Sequence, residues 1–215
     1  MIGLQGMASS NTAVMIAGPA GPLQGMVEQP DAPEQGGIAL VLHPHPLMGG
    51  TMDNKVVVMT ARALVQEGFV TLRCNFRGVG LSAGSFAEGV GERADALAAV
   101  AWLRERYPDQ PLCLAGFSFG AYVALLAADD SACARLITIA PPIQYAALRD
   151  LPRPKAAWCL LQGEADEIVD GQEVLAWARS YEPPPIIHTF PGVGHFFHGA
   201  LTSLQQAVRA CLRSG

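Results

Sequence analysis

The chain has 215 residues, half of them hydrophobic, with 15% charged residues and a formal net charge of −5. That is enough apolar material for one domain with a full two-sided core, read here as spanning residues 1–215. The low charge and the lack of a basic block exclude nucleic acid and anionic membrane surfaces as natural partners.

Residues 12–16 and 25–28 read as two strands around the turn Gly18-Pro19-Ala20-Gly21-Pro22. A polar Pro/Gly loop follows over residues 29–37. Residues 38–42, IALVL, form a solidly apolar strand of the kind buried on both faces. Helical spacing of apolar residues runs from about 53 to 67, with Gly68 closing it. Strands at 69–74, 111–115, 136–140, 156–161 and 186–190 then alternate with helices near 91–106, 118–128, 171–180 and 196–212. This alternation predicts an α/β fold: a three-layer, mostly parallel sheet with helices on both faces and the two opening strands as an antiparallel edge. In such folds sites gather beyond the carboxyl ends of the strands.

The apolar stretches are of strand length, so no membrane-spanning helix is expected. The first residues, MIGLQGMASSN, lack the charge and apolar core of a signal peptide. The five cysteines at 74, 113, 133, 159 and 211 form no C-x-x-C pair and sit mostly in apolar runs. They read as buried, reduced thiols of a cytoplasmic protein.

The pattern G-x-S-x-G occurs twice. Gly116-Phe117-Ser118-Phe119-Gly120 follows an apolar strand directly and opens an apolar helix. That is the strand–turn–helix context of a nucleophile elbow, which lifts a serine hydroxyl above the sheet. Gly80-Leu81-Ser82-Ala83-Gly84 begins several residues after its strand and runs into a loop. Ser118 is therefore the expected nucleophile and Ser82 is not.

A serine needs a base, and the base needs an orienting acid. His195, in Pro191-Gly192-Val193-Gly194-His195 just past the last strand, is the expected base; His198 is the alternative and reads as lying in the final helix. Among the carboxylates of Gln162-Gly163-Glu164-Ala165-Asp166-Glu167-Ile168-Val169-Asp170, Asp170 suits an N-cap with Glu173 three residues on. Glu164 and Glu167 suit solvated loop charges, which leaves Asp166 as the orienting acid. The order serine, acid, histidine is that of one hydrolase fold. For the oxyanion, Phe119 offers the N–H after the nucleophile. Pro44 and Pro46 have none, so His45 or Leu47 supplies the second donor. An alternative reading of His43-Pro44-His45 as a zinc pair lacks nearby ligands to complete it. No dinucleotide or P-loop pattern is present, and no metal or organic cofactor is expected.

On the Gly116–Gly120 elbow, Gly163 with Asp166, Gly194-His195 and the R-G-x-G-x-S loop Asn75-Phe76-Arg77-Gly78-Val79-Gly80-Leu81-Ser82-Ala83-Gly84, the chain resembles the α/β-hydrolase superfamily. His43-Pro44-His45-Pro46 with Gly49-Gly50-Thr51-Met52-Asp53-Asn54-Lys55 is similar to a group of small bacterial hydrolases akin to dienelactone hydrolases and acyl-peptidase-type enzymes. The connection between residues 140 and 156 is too short for a cap domain, so the resemblance implies a lidless enzyme. It implies a serine esterase acting on small soluble esters or thioesters; the expected form, monomer or homodimer, does not follow from the sequence. Amide or peptide cleavage and a non-catalytic binding protein on the same fold are the rival readings.

Overall fold

The computed structural model describes residues 11–31 and 36–213. The N-terminal leader reading over residues 1–10 and the middle of the 29–37 loop lie outside them.

Burial decides which strands sit at the centre. The strands Gly37–Leu42 (β3), Phe69–Cys74 (β4) and Leu112–Phe117 (β5) are buried at every residue. Strands buried this completely face water on neither side, so each needs cover above and below; in β4 the buried Arg73 is paired with Glu28. Arg135–Ile139 (β6) and Ala157–Gly163 (β7) continue the sheet, and Ile186–Phe190 (β8) ends it. The opening hairpin Asn11–Gly18 (β1) and Gly21–Glu28 (β2) is largely exposed on its outer strand. The eight strands run in the order β1-β2-β4-β3-β5-β6-β7-β8. β1 and β2 pair antiparallel with each other and β2 antiparallel with β4; all later pairings are parallel. The expected antiparallel edge and parallel body are both present.

Lys55–Gln66 (α1) packs on the last helix, Leu201–Arg213 (α6), over one face. Glu67, just past α1, binds Arg209 and Arg213 of α6. Val90–Arg106 (α2) and Phe119–Ala127 (α3) pack on each other over the opposite face. Gly171–Arg179 (α5) shares an aromatic cluster with the sheet, in which Trp177 stands 5.6 Å from Trp158. α1 is capped by the Asn54 side chain, which accepts from the Val56 N–H at 2.9 Å. α5 is capped as expected by Asp170, which accepts from Gln172 and Glu173. Such caps satisfy N–H groups that have no partner inside the helix, each contributing about 1 kcal/mol.

Four expectations change. A short helix, Ala146–Arg149 (α4), interrupts the Pro-rich connection that was read as a loop. The first strands extend further into their turn than the pattern indicated, because Gly21 and Pro22 still pair with Gly18 and Ala17. The last helix begins at Leu201, five residues later than read, because Phe197 and Gly199 adopt positive φ and turn the chain first. The apolar spacing continued through this turn because Phe197 is fully buried. Finally, Cys159 and Cys211 are joined in a disulfide, not free thiols; the packing of α6 on β7 brings their Cα atoms to 6.1 Å. Cys74, Cys113 and Cys133 are free and buried. Burial pushes the Cys74 thiol up to about 12, so it is inert at neutral pH.

Candidate active site

β5 ends in the first elbow. Ser118 stands between β5 and α3 with φ 53° and ψ −119°, a backbone region that L-residues avoid. Its own N–H still pairs with the Ile139 carbonyl at 2.8 Å, so the turn happens within one residue of the sheet. The flanking glycines are required by closeness: a Cβ on Gly116 would stand 2.2 Å from the Gly120 carbonyl oxygen, and one on Gly120 would stand 2.3 Å from that of Leu42.

The loop after β7 carries Asp166 and the loop after β8 carries His195. Neighbouring parallel strands therefore deliver acid and base to the same end of the sheet as Ser118. His195 Nε2 lies 3.0 Å from Ser118 Oγ, and His195 Nδ1 lies 2.8 Å from Asp166 Oδ2. The imidazole is 3% exposed and the Asp166 carboxylate fully covered. The ring sits between Phe117 at 5.1 Å and Phe196 at 5.2 Å, so its hydrogen bonds are made away from bulk water.

Burial alone would raise the Asp166 pKa. The hydrogen bond from His195 and those from the Val169 and Ile168 N–H groups outweigh it and hold the carboxyl below its ordinary value. Gln162 adds a further donor at 3.1 Å. The arrangement keeps Asp166 anionic with both oxygens occupied, and leaves the ring one orientation.

Two contributors were not read from the sequence. Gln162 belongs to no motif, although a buried polar residue near the end of an otherwise apolar strand is a signal in itself. Glu167 was read as a solvated charge; its carboxylate accepts from the His195 backbone N–H at 3.1 Å. No local pattern announces that contact, because the partners are 28 residues apart. His198 is exposed, lies outside the final helix and stacks on Phe196, while His195 holds the position beside the serine.

On the other side of Ser118 lies the loop after β3. The Phe119 ring is 5.1 Å from that of His45, which brings the loop after β3 against the elbow. Phe119 opens α3, where the first N–H groups have no partner within the helix. The Leu47 N–H is taken by His45 Nδ1 at 3.2 Å, within a short 3-10 turn over Pro46–Met48. His43 is wholly buried: Nδ1 meets the Pro44 carbonyl at 2.7 Å and Nε2 accepts from the Phe76 N–H at 3.0 Å. Both ring nitrogens are thus engaged, which contradicts a zinc pair at His43 and His45. Behind the loop, Arg77 binds Asp95 through two nitrogens at 2.9 and 2.7 Å, while buried Glu92 accepts from the Ala87 and Gly89 N–H groups.

Residues 23–165 match the family of X-Pro dipeptidyl-peptidases, the S15 family. Over 165 residues the chain is 41% identical to an uncharacterized protein of Rickettsia prowazekii, covering 73% of this chain and 68% of that one. Its structure is similar to that of an α/β serine hydrolase without lid from Xanthomonas campestris, with 44% identity, a TM-score of 0.90, and 96% and 95% of the two chains covered. An α/β serine hydrolase homologue from Coxiella burnetii superimposes with the same TM-score at 39% identity, covering 95% of this chain and 98% of that one. The chain therefore belongs to the X-Pro dipeptidyl-peptidase (S15) family, and its fold is that of the lidless α/β serine hydrolases.

Proposed function

We propose that this hydrolase cleaves small carboxylic esters or thioesters through an acyl-enzyme on Ser118. The observation that carries the reading is the unbroken relay from Ser118 Oγ to His195 to Asp166, at 3.0 and 2.8 Å. Ser118 attacks the carbonyl as His195 Nε2 takes its proton. Asp166 holds the Nδ1–H tautomer and stabilises the imidazolium. The Phe119 and His45 N–H groups bind the oxyanion, since the Leu47 N–H is already occupied. The imidazolium then protonates the leaving group, and water attacks the acyl-enzyme by the same base. We read the substrate as a small molecule and the chain as one cytoplasmic domain, monomeric or homodimeric, needing neither metal nor organic cofactor. Among the described residues no helix is long and apolar enough to cross a membrane.

Peptide cleavage is a second reading, favoured by the family match. That match spans Ser118 but ends at residue 165, before both Asp166 and His195. The short connection between β6 and β7, with only α4 in it, supports the ester reading, because no cap closes over a peptide chain.

Labelling with a fluorophosphonate, with mass spectrometry to locate the adduct, tests the mechanism. An adduct on Ser118 that is lost in Ser118→Ala supports it. An unlabelled, folded chain would favour a binding protein. Comparing p-nitrophenyl acyl esters with X-Pro p-nitroanilides then decides between the two substrate classes.

A further inference from the structure

At the edge of the sheet away from the elbow, three donor atoms converge. β7 and β8 pair in parallel with Cys159 opposite Ile186 and Leu161 opposite His188. Side chains alternate along a strand, so Cys159 and His188 stand on one face, one pleat apart, within side-chain reach. α6 presents its buried stripe Leu204, Val208, Cys211 and Leu212, at helical spacing. Cys211 thereby meets Cys159, from which it is separated by 52 residues in sequence. The two Sγ atoms and a ring nitrogen of His188 all lie within 4.8 Å of one another. His188 Nε2 is buried and has no hydrogen-bond partner among the described residues. A buried imidazole nitrogen left without a partner is costly, and polar groups at that depth are normally satisfied.

We propose that reduction of the Cys159–Cys211 bridge creates a Cys2His site for one Zn2+, completed by His188 Nε2. Two thiolates and a neutral imidazole are the donor set zinc prefers. A dithiol reductant supplies two electrons and two protons to the bridge and becomes a disulfide itself. Each cysteine thiol then releases its proton as it binds Zn2+, while His188 keeps its proton on Nδ1 and donates the Nε2 lone pair. Water takes the fourth position. Two thiolates on one zinc stand about 3.8 Å apart, from Zn–S bonds of about 2.3 Å. The Cα atoms, at 6.1 Å, allow that separation by side-chain rotation alone.

The location gives the site a consequence. β7 leads into the Asp166 loop, and β8 leads through the His195 loop into α6. The bridge ties these elements together in oxidising conditions, and Zn2+ does so in reducing ones. The site is separate from the Ser118 relay, so its failure leaves the proposed reaction untouched.

The test uses the full chain, reduced with a phosphine under anaerobic conditions and titrated with Co2+ as a coloured probe, then with Zn2+. One equivalent of Co2+ should give tetrahedral d–d bands with thiolate-to-cobalt charge transfer, and Zn2+ should abolish both. The oxidised chain should give neither. His188→Ala should weaken Zn2+ binding at least ~10-fold, the loss typical of removing even an outer partner of a metal ligand. Cys211→Ser should lose the charge-transfer band, while Cys133→Ser should keep it. His188→Ala leaves both thiols in place, so it reports on the site even if the cysteine variant folds poorly. A reduced chain without the bands, an oxidised chain that binds equally well, or His188→Ala with unchanged affinity would each overturn the proposal.

Discussion

The same five-residue pattern, G-x-S-x-G, builds two opposite things in this molecule. At Gly116–Gly120 the serine takes the left-handed backbone at φ 53°, and the glycines serve only to let backbones touch. At Gly80–Gly84 the roles reverse: Gly80 and Gly84 take positive φ, at 58° and 85°, and the serine keeps ordinary backbone angles. Ser118 ends a buried strand and offers its hydroxyl to His195. Ser82 is buried, donates to the Asn75 carbonyl at 2.8 Å and accepts from the Gln24 N–H at 2.9 Å. Its hydroxyl is consumed in bracing β2 against the loop after β4. The motif is therefore a statement about backbone crowding, and the surrounding elements decide whether the hydroxyl is presented or spent.

The largest expected effect separates the two serines. Ser118→Ala should lower ester turnover by about 10⁶-fold with little change in stability. Ser82→Ala should leave kcat within about threefold. Steady-state hydrolysis of p-nitrophenyl acetate by both variants checks this, and equal losses would erase the distinction.

Asp166→Asn keeps the shape of the acid but not its charge or its grip on the Nδ1–H tautomer. Turnover should fall by about 10³–10⁴-fold, with fluorophosphonate labelling of Ser118 slowed in parallel. Labelling at the wild-type rate would show that the relay is not what activates the serine.

His43 links the two regions, since it holds Phe76 at the start of the Ser82 loop and meets the Pro44 carbonyl in the loop after β3. Burial lowers its pKa from 6.5 to about 4, against the smaller opposing effect of the Pro44 carbonyl. Between those values the unfolded chain takes up a proton that the fold refuses. Stability from this group is therefore complete above about pH 6.5 and falls as pH drops toward 4, by up to about 3 kcal/mol. His43→Gln should flatten this part of the pH dependence, measured as urea midpoints from pH 7 to pH 4. A variant as steep as wild type would place the titration elsewhere.

Removing the Ser82 hydroxyl strands the half-buried Gln24 N–H and the buried Asn75 carbonyl, so Ser82→Ala should cost about 1–3 kcal/mol in urea unfolding. Smallest is the effect of backbone strain at the elbow. Ser118→Gly should be more stable than Ser118→Ala by about 1 kcal/mol, because only the alanine keeps a Cβ at positive φ. The reverse order would mean that the elbow is relaxed.

Much of this was legible in the chain alone. Period and apolarity named every strand of the sheet, most sharply β3 and β5, because a strand buried on both faces has no alternative to an unbroken apolar run. Ser118, His195 and Asp166 each follow such a run at a place where the fold collects its loops. Element ends were less legible: the turn before α6 hid behind the buried ring of Phe197, and α4 behind prolines. The contacts that orient the relay, Gln162 to Asp166 and Glu167 to the His195 N–H, come from side chains whose partners no spacing rule identifies.

The sequence by itself determined the alternation of strand and helix, the choice between two serine motifs, and the three residues that tertiary structure brings into line. Those follow from local chemistry: apolar period, glycine at crowded turns, and proline's missing N–H. Only the tertiary structure decided that the Leu47 N–H is taken by the His45 ring, that His43 is a buried brace, and that Cys159 meets Cys211 next to His188. Each depends on which elements lie across from one another, and that is set by how the layers pack, between residues far apart in the chain.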